Sequence, residues 1–585
     1  MVVRAHYIAP MRYLTLCTDY DGTIAHDGKV DAPTIAALEE LRASGRKLVL
    51  VTGREIEDLQ SVFDRLDLFE RVVAENGALI YRPATREERV IGDPPPARFV
   101  EELRRRGVQN VSIGRCIVAT WHPNEASVLE VIRDLGLEMQ VIFNKGAVMV
   151  LPSGLNKAAG LRAALDEMNM SLHNCVGVGD AENDHAFLNI CECSAAVSNA
   201  LPAVKDKVDL VLEQDHGAGV RQLVAGLLQD DLARLAPRLR RHEILLGRDE
   251  HGAEFSLPSF GISALVVGTS GGGKSTVAVG LVERLHSKGY GFCIVDPEGD
   301  YDAVQGAAVL GSAERAPSVE ECMQFLMRPG ENAVINLLGL KLIDRPAFFM
   351  TLFARVRDLR AKTGRPHWLV VDEAHHVMPA DWKPAEQGLP QRLDGVLLVS
   401  VAPSAIASSA VRLIDSVIVL GNKPGEMLSE FAAANDRPAP PLPGHWSGEG
   451  QALLWHKDTD HVTAIMLEPT QTERRRHLRK YAEGALGEDR SFFFRGAEGK
   501  LKLRAHNLIV FTDLADGVDE ETWLHHWRRG ETSGWIRTGI KDEPLADKVE
   551  ALEHAMPDDA EASRKRVREL IEASYTLPAE SGNKQ

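Results

Sequence analysis

Leu14-Thr15-Leu16-Cys17-Thr18-Asp19-Tyr20-Asp21-Gly22-Thr23 decides how the first third of this chain reads. Five apolar and β-favouring residues run straight into two carboxylates two positions apart, and Gly22 then lets the backbone turn away. A strand whose carboxyl end carries Asp19 and Asp21 fits an open α/β sheet, where ligands gather beyond the strand ends. Two such carboxylates can divide labour, one attacking phosphorus as nucleophile and the other giving a proton to the leaving oxygen. Acidic turns after strands are also common where nothing binds, so the pair gains meaning only from what surrounds it.

From Tyr13 to about Leu228, short runs such as Lys47-Leu48-Val49-Leu50-Val51 and Cys175-Val176-Gly177-Val178 alternate with helical stretches from Thr34 to Ser44 and Leu155 to Met168. That alternation predicts a parallel sheet flanked by helices. Three further segments belong to strand ends or helix starts: Val51-Thr52-Gly53-Arg54, Lys157 after Leu151-Pro152-Ser153-Gly154, and Gly179-Asp180-Ala181-Glu182-Asn183-Asp184. In this order the four segments resemble the haloacid dehalogenase (HAD) superfamily of phosphatases, and Glu75-Asn76-Gly77-Ala78 is similar to its sugar-phosphatase branch, with a large cap between the second and third motifs.

The resemblance implies a Rossmann-like domain over residues 1–228 with an α/β cap at about 82–152. It makes Asp19 the nucleophile that forms an aspartyl-phosphate and Asp21 the general acid/base. Thr52 and Lys157 hold the phosphoryl group, and Asp19, the Asp21 carbonyl, Asp180 and Asp184 place Mg²⁺. A transferring phosphoryl spreads negative charge over its oxygens, so a hydroxyl, an ammonium and a metal ion are what lower the barrier. The implied substrate is a small phosphorylated metabolite. Arg115, Trp121, His122 and Lys145 in the cap are candidate contacts to it that the sequence does not separate from ordinary surface groups.

A second phosphate-handling segment follows the strand Ile262 to Val267: Gly268-Thr269-Ser270-Gly271-Gly272-Gly273-Lys274-Ser275, which opens a helix from Ser275 to His286. Backbone N–H groups around Gly268, Gly271, Gly272 and Gly273 can cradle phosphates at a helix start. Lys274 then reaches the outer phosphates of ATP, Ser275 binds Mg²⁺, and Thr276 lines the same turn. Its partner is His367-Trp368-Leu369-Val370-Val371-Asp372-Glu373, where Asp372 holds the metal and Glu373 activates water.

Together with Leu245 to Gly252, Ile294 to Tyr301 and Asp372-Glu373-Ala374-His375, this region is similar to HerA-type and conjugation-type ATPases of the additional-strand class. The similarity runs over residues 243–465 and implies a RecA-like P-loop domain, placed at 243–470, from a class that often forms homo-oligomeric rings moving DNA or protein. One departure stands out. Where that class carries a polar sensor, often Gln, this chain reads Val399-Ser400-Val401-Ala402-Pro403-Ser404. Arg412 is a candidate trans-acting finger, with a plain surface arginine as the simpler account.

The whole chain of 585 residues is long enough for three or four domains. A linking helix is expected at 229–242 and a small, mainly helical accessory domain at 471–585, ending in a polar tail. In that last domain Trp523, His525, His526, Trp527, Trp535 and Arg528-Arg529 read mostly as aromatic packing. Phe493 to Asp542 resembles a small domain found attached to other HAD proteins. The basic run Arg474 to Lys480 reads as a solvated helix face.

Hydrophobic residues make up 44% of the chain and charged ones 26%, with no run long enough to span a membrane and no leader, so a cytoplasmic protein is expected. Seven scattered cysteines lack metal or disulfide spacing and read as reduced core thiols. A net charge of -17 disfavours nucleic acid as a partner. The expectation is a bifunctional hydrolase, an Mg²⁺-dependent phosphatase fused to an ATPase. Two alternatives are a nucleic-acid motor or defence-type ring whose first module processes nucleotides or nucleic-acid ends, and an ATP-controlled switch with little turnover.

Overall fold

The computed structural model describes residues 11–144, 146–234, 239–269, 272–302, 304–382, 390–421, 423–444, 450–470, 486, 490–496, 499, 501–540 and 542–574. Lys145, Ser270, Gly271, the basic run Arg474 to Lys480 and the polar tail lie outside them.

Eight strands build the first sheet: β1 (Thr15–Thr18), β2 (Lys47–Val51), β3 (Arg71–Ala74), β4 (Leu79–Arg82), β5 (Glu87–Val90), β10 (Cys175–Gly179), β11 (Cys193–Ala196) and β12 (Leu210–Val211), in the order β12-β11-β10-β1-β2-β3-β4-β5. The strands from β12 to β3 are parallel, and β4 and β5 close the edge antiparallel. β1, β3, β10 and β11 are buried along their whole length, which is why they read as continuous apolar runs. The flanking helix Ala32–Ala43 starts where the Asp31 side chain accepts the Thr34 N–H at 2.8 Å.

The cap is a separate four-stranded sheet of β6 (Ser112–Ile113), β7 (Val118–Trp121), β8 (Met139–Asn144) and β9 (Ala147–Pro152), ordered β6-β7-β9-β8. Two helices, Ala97–Arg105 and Glu125–Asp134, complete it, and Phe99, Leu103, Val128, Val131 and Val148 form its own core. Its expected start at residue 82 is too early. β5 belongs to the main sheet, paired to β4 from Val90 to Glu87, so the cap begins after Val90.

The second sheet has eleven strands: β13 (Ile244–Arg248), β14 (Glu254–Leu257), β15 (Ser263–Gly268), β16 (Phe292–Asp296), β17 (Ala308–Leu310), β18 (Ala333–Asn336), β19 (Trp368–Val371), β20 (Val396–Ser400), β21 (Ser416–Leu420), β22 (Gln451–His456) and β23 (Thr463–Leu467). Their order is β14-β13-β23-β22-β21-β15-β20-β19-β16-β18-β17. β20 lies parallel between β15, which leads into the glycine loop, and β19, which ends at Asp372. That interposed strand agrees with the additional-strand arrangement. The third domain pairs a hairpin, β24 (Phe492–Phe494) with β25 (Leu503–Ala505), and packs five helical segments between Leu508 and Ser574 around Phe494, Phe511, Trp523 and Trp527.

Of the expected linking helix over 229–242, residues 235–238 lie outside the described residues. The helix His216–Asp230 ends at Asp231, whose φ of 54° is left-handed, and Leu232 and Leu239 bury themselves in the first domain's core. The joint between the first two domains is made by residues placed just ahead of strands. Glu192, 1% exposed, precedes β11; its Oε1 accepts from the Arg12 guanidinium at 2.6 Å and from the hydroxyls of Ser259 and Tyr290 at 3.1 and 3.0 Å. Its Oε2 lies 2.8 Å from His173 Nδ1, and His173 Nε2 donates to the Lys288 carbonyl at 2.9 Å while its ring stacks on Tyr290. Arg12 and His173 precede β1 and β10; Ser259, Tyr290 and His367 precede β15, β16 and β19.

The two sheets therefore meet at the amino-terminal edges of their parallel strands, and both carboxyl edges face away from the joint. His173, Glu192 and His242 have the composition of a metal set, but the Arg12 guanidinium on the same carboxylate already supplies the counter-charge. Burial would raise the Glu192 carboxyl; the His173 hydrogen bond and the charges of His242, His173 and Arg12 overcome it and hold it well below the usual range. Burial also pushes the His242 imidazole down to about 4 and His367 well below its ordinary value.

Two outcomes follow for the joint. Glu192→Gln strands Arg12 and His173 without their counter-charge and should cost about 3–5 kcal/mol in denaturant unfolding. Between roughly pH 6.5 and 4 the unfolded chain binds more protons than native His242 and His367. Their contribution is lost as pH falls through that window, so from pH 7 to pH 5 the wild type should lose on the order of 2 kcal/mol more unfolding free energy than His242→Asn does.

Candidate active sites

The carboxyl edge of the first sheet gathers Asp19 from β1, Thr52 from β2 and Asp180 from β10, with Lys157 and Asp184 delivered by helical turns beside them. Asn156 caps the helix Lys157–Glu167 by accepting the Ala159 N–H at 3.0 Å, which fixes Lys157 in the first turn. Lys157 Nζ lies 2.6 Å from Asp19 Oδ1 and 2.6 Å from Asp184 Oδ1, all three side chains being buried. The Thr23 hydroxyl bridges Asp19 Oδ2 at 3.2 Å and Asp180 Oδ1 at 3.3 Å, a contact the sequence reading did not assign. Asp184 Oδ2 accepts the N–H groups of Asp180 and Ala181, each at 2.9 Å.

Asp19, Asp180 and Asp184 each offer an oxygen within 4.8 Å of the others. Three buried carboxylates against one ammonium leave negative charge uncompensated, and a hard divalent cation with oxygen ligands fits that deficit. Burial, then the Asp184 charge, push the Asp19 carboxyl up to about 8 against the pull of Lys157. Lys157 is held above its ordinary value by Asp184 and Asp19, which overcome its burial.

Asp21 lies apart from this cluster. Arg54 takes both of its oxygens, at 2.6 and 2.7 Å, and holds Asp58 as well. Thr52 Oγ1 accepts the Arg54 N–H at 3.1 Å, so the second motif carries its own clamp on the first.

Glu75 and Asn76, with φ of 51° and 52°, tie the core to the cap. The buried Glu75 carboxylate accepts the N–H groups of Arg115, Cys116 and Ile117 at 2.8, 2.7 and 3.0 Å, all from the cap. Asn76 accepts from the Asn183 amide at 3.0 Å and donates to Met149 of β9. Gly77, at φ 104°, packs so close to the Asn156 carbonyl that a Cβ would sit 1.9 Å from it. Arg115, a candidate substrate contact, is instead paired to Glu57 and Glu88. Trp121 and His122 are exposed on the cap, with His122 Nδ1 at 2.6 Å from Glu125.

In the second domain Gly268 ends β15, Gly273 takes φ 90°, and Lys274 opens the helix Lys274–Ser287 with Ser275 and Thr276 in its first turn. Gly272 N–H donates to Thr269 O at 3.0 Å and Lys274 Nζ to the same carbonyl at 3.2 Å. Gly271 lies outside the described residues. Across β20, Asp372 is buried, and neither of its carboxylate oxygens has a hydrogen-bond partner among the described residues. Burial, then Glu373, Asp296 and Asp300, push it well above the usual carboxylate range. An orphaned buried carboxylate beside a phosphate-type loop fits a metal-bound nucleotide.

Glu373 stands in a left-handed conformation, φ 39°, 3.4 Å from His375, whose Nδ1 lies 3.3 Å from the Ser400 hydroxyl at the end of β20. Ser400 and His375 are thus polar groups beside Glu373 at the end of β20. Arg345 reaches His376 at 3.3 Å and feels the charges of Glu298 and Asp296, a cation at this edge that sequence reading missed. Arg412 is exposed, bound to the Ala434 carbonyl at 3.0 Å and to Asp436 at 3.3 Å.

The profile of haloacid dehalogenase-like hydrolases matches residues 16–103 and 125–224, the stretch that carries every residue of the first cluster. The first domain is a haloacid dehalogenase-like hydrolase. Residues 260–344 match the central domain of the helicase HerA, so the hydrolase is fused to a HerA-type domain. The chain is similar to phosphoglycolate phosphatase 2 of Saccharolobus solfataricus, 27% identical over 229 residues that cover 38% of this chain and 95% of that protein. A phosphoglycolate phosphatase of Methanothermobacter thermautotrophicus is 25% identical over 218 residues, covering 36% and 96%. One of Haloarcula marismortui is 29% identical over 219 residues, covering 36% and 95%.

The charge imbalance of the hydrolase cluster has a measurable consequence without nucleotide present. Saturating Mg²⁺ at about 100 times its Kd should add ~2.7 kcal/mol and raise the hydrolase unfolding midpoint by roughly 5 °C, and Asp180→Asn should abolish the rise. Lys157→Ala should lose most stability in EDTA and recover part of it in Mg²⁺.

Proposed function

We propose that the hydrolase domain is an Mg²⁺-dependent phosphatase for a small phosphorylated metabolite, working through an aspartyl-phosphate on Asp19, and that the HerA-type domain binds and hydrolyses ATP. The observation that carries the first half is the buried meeting of Asp19, Lys157, Asp180 and Asp184. The names of the relatives make phosphoglycolate the first substrate to try.

In this reading a carboxylate oxygen of Asp19 attacks phosphorus, the bond from phosphorus to the leaving oxygen breaks, and Asp21, freed from Arg54, gives that oxygen its proton. Asp21 then takes a proton from the water that attacks the aspartyl-phosphate, and Asp19 and inorganic phosphate are regenerated. Thr52 and Lys157 hold the phosphoryl oxygens. Asp19, the Asp21 carbonyl, Asp180 and Asp184 would hold the metal. When bound, the dication offsets charge on the transferring phosphoryl and lets anionic Asp19 approach an anionic substrate. The cap, gripped by Glu75, excludes water from the site.

In the second site Lys274, Ser275 and the loop amides would hold ATP, Asp372 its metal, and Glu373 the attacking water. Asp19→Asn should lower phosphatase kcat by at least ~10³-fold while ATPase activity stays, and Lys274→Ala or Glu373→Gln should do the reverse. Wild-type phosphatase turnover in Asp19→Asn would end the first assignment.

The HerA match also supports a second reading, a motor on nucleic acid. ATP hydrolysis stimulated by DNA, with salt-sensitive binding, would favour it; no stimulation leaves the metabolite reading in place.

A further inference from the structure

Neither catalytic centre uses the third domain, yet it holds a cavity of about 620 Å³ that concentrates positive charge in a chain of net charge -17. The hairpin β24–β25 brings Arg490 and Arg495 to it, and the turn after the helix Glu520–Trp527 brings Arg529. Against these three guanidinia stands one carboxylate among the described lining residues, Glu531. It is already engaged, 2.6 Å from His526 Nδ1 and 3.7 Å from Arg529. Among the described residues no ion pair engages Arg490 or Arg495; Arg495 instead lies over the Phe493 ring at 5.5 Å.

The frame is built rather than incidental. His526, 3% exposed, accepts the Arg495 N–H on Nε2 at 2.9 Å and so carries its hydrogen on Nδ1 toward Glu531. That single ring ties the hairpin to two helices and sets where Arg495 stands. Trp535 closes the floor, its indole N–H donating to the Arg490 carbonyl at 2.9 Å, so both hairpin arginines are anchored through their backbones, and among the described residues no carboxylate pairs with either guanidinium. Forked guanidinium donors match the oxygens of a phosphate group. The volume falls within the ~300–1,000 Å³ of sites that take one small ligand, and the acidic chain gives a long polyanion no continuing track.

We propose that this cavity binds a small organic phosphate, a third phosphate-recognition site distinct from the two on the sheet edges. The test uses the full-length protein in EDTA, titrated calorimetrically with pyrophosphate. Arg490→Gln/Arg495→Gln should lose one binding event per chain, or weaken it at least tenfold, while Lys274→Ala keeps that event and loses the one at the glycine loop. Arg528→Gln, which removes an exposed arginine paired to Asp558, should bind as wild type does. The double variant should keep wild-type phosphatase and ATPase rates and unfolding midpoint, which separates lost binding from lost folding. Identical isotherms for wild type and the double variant would overturn the proposal. So would a single-stranded oligonucleotide whose binding depends on Arg490 and Arg495 when pyrophosphate binding does not.

Discussion

Lys157 is one ammonium serving two buried carboxylates, with a third within reach of both. Everything else at the hydrolase edge can be understood as a response to that imbalance. Thr23 bridges Asp19 and Asp180, backbone N–H groups share the charge of Asp184, and Arg54 draws Asp21 away from the crowd. A site that repels its own carboxylates in this way is held together by the fold, and a cation would offset the charge left over. The HerA-type domain repeats the theme, since Asp372 is buried beside Glu373 and Asp296 with no donor to either oxygen among the described residues.

The placement of the joint gives these two charged edges independence. Because Glu192 and its partners sit ahead of the strands in both sheets, neither carboxylate cluster lies among the described residues of the joint. The cap gives the hydrolase a second mechanical connection, through three N–H groups on Glu75 and one amide of Asn76.

What the sequence made legible is what local chemistry encodes. Asp19 and Asp180 follow apolar runs, Lys157 follows a capping Asn156, and Lys274 follows a glycine loop; each announces its place within ten residues. The cap boundary failed for a physical reason: Glu87-Glu88-Arg89-Val90 is an exposed edge strand held by backbone pairing, with no apolar alternation to reveal it. The Leu- and Arg-rich periodicity behind the linking helix runs past Asp231 and Leu232, where the backbone turns left-handed. The Glu192 joint was invisible because His, Tyr, Ser and Arg are ordinary residues whose meaning depends on partners 19 to 180 positions away. Arg54 was quoted in its motif, yet its grip on Asp21 needed the fold.

Carboxylates crowded at strand ends would create one cation site in each domain. Anomalous diffraction from crystals soaked in Mn²⁺ with a non-hydrolysable ATP analogue tests it most directly. One peak is expected within coordination distance of Asp19 and Asp180 and a second beside Ser275 and Asp372. Manganese bound only at His173, Glu192 and His242, or at neither strand edge, would contradict it.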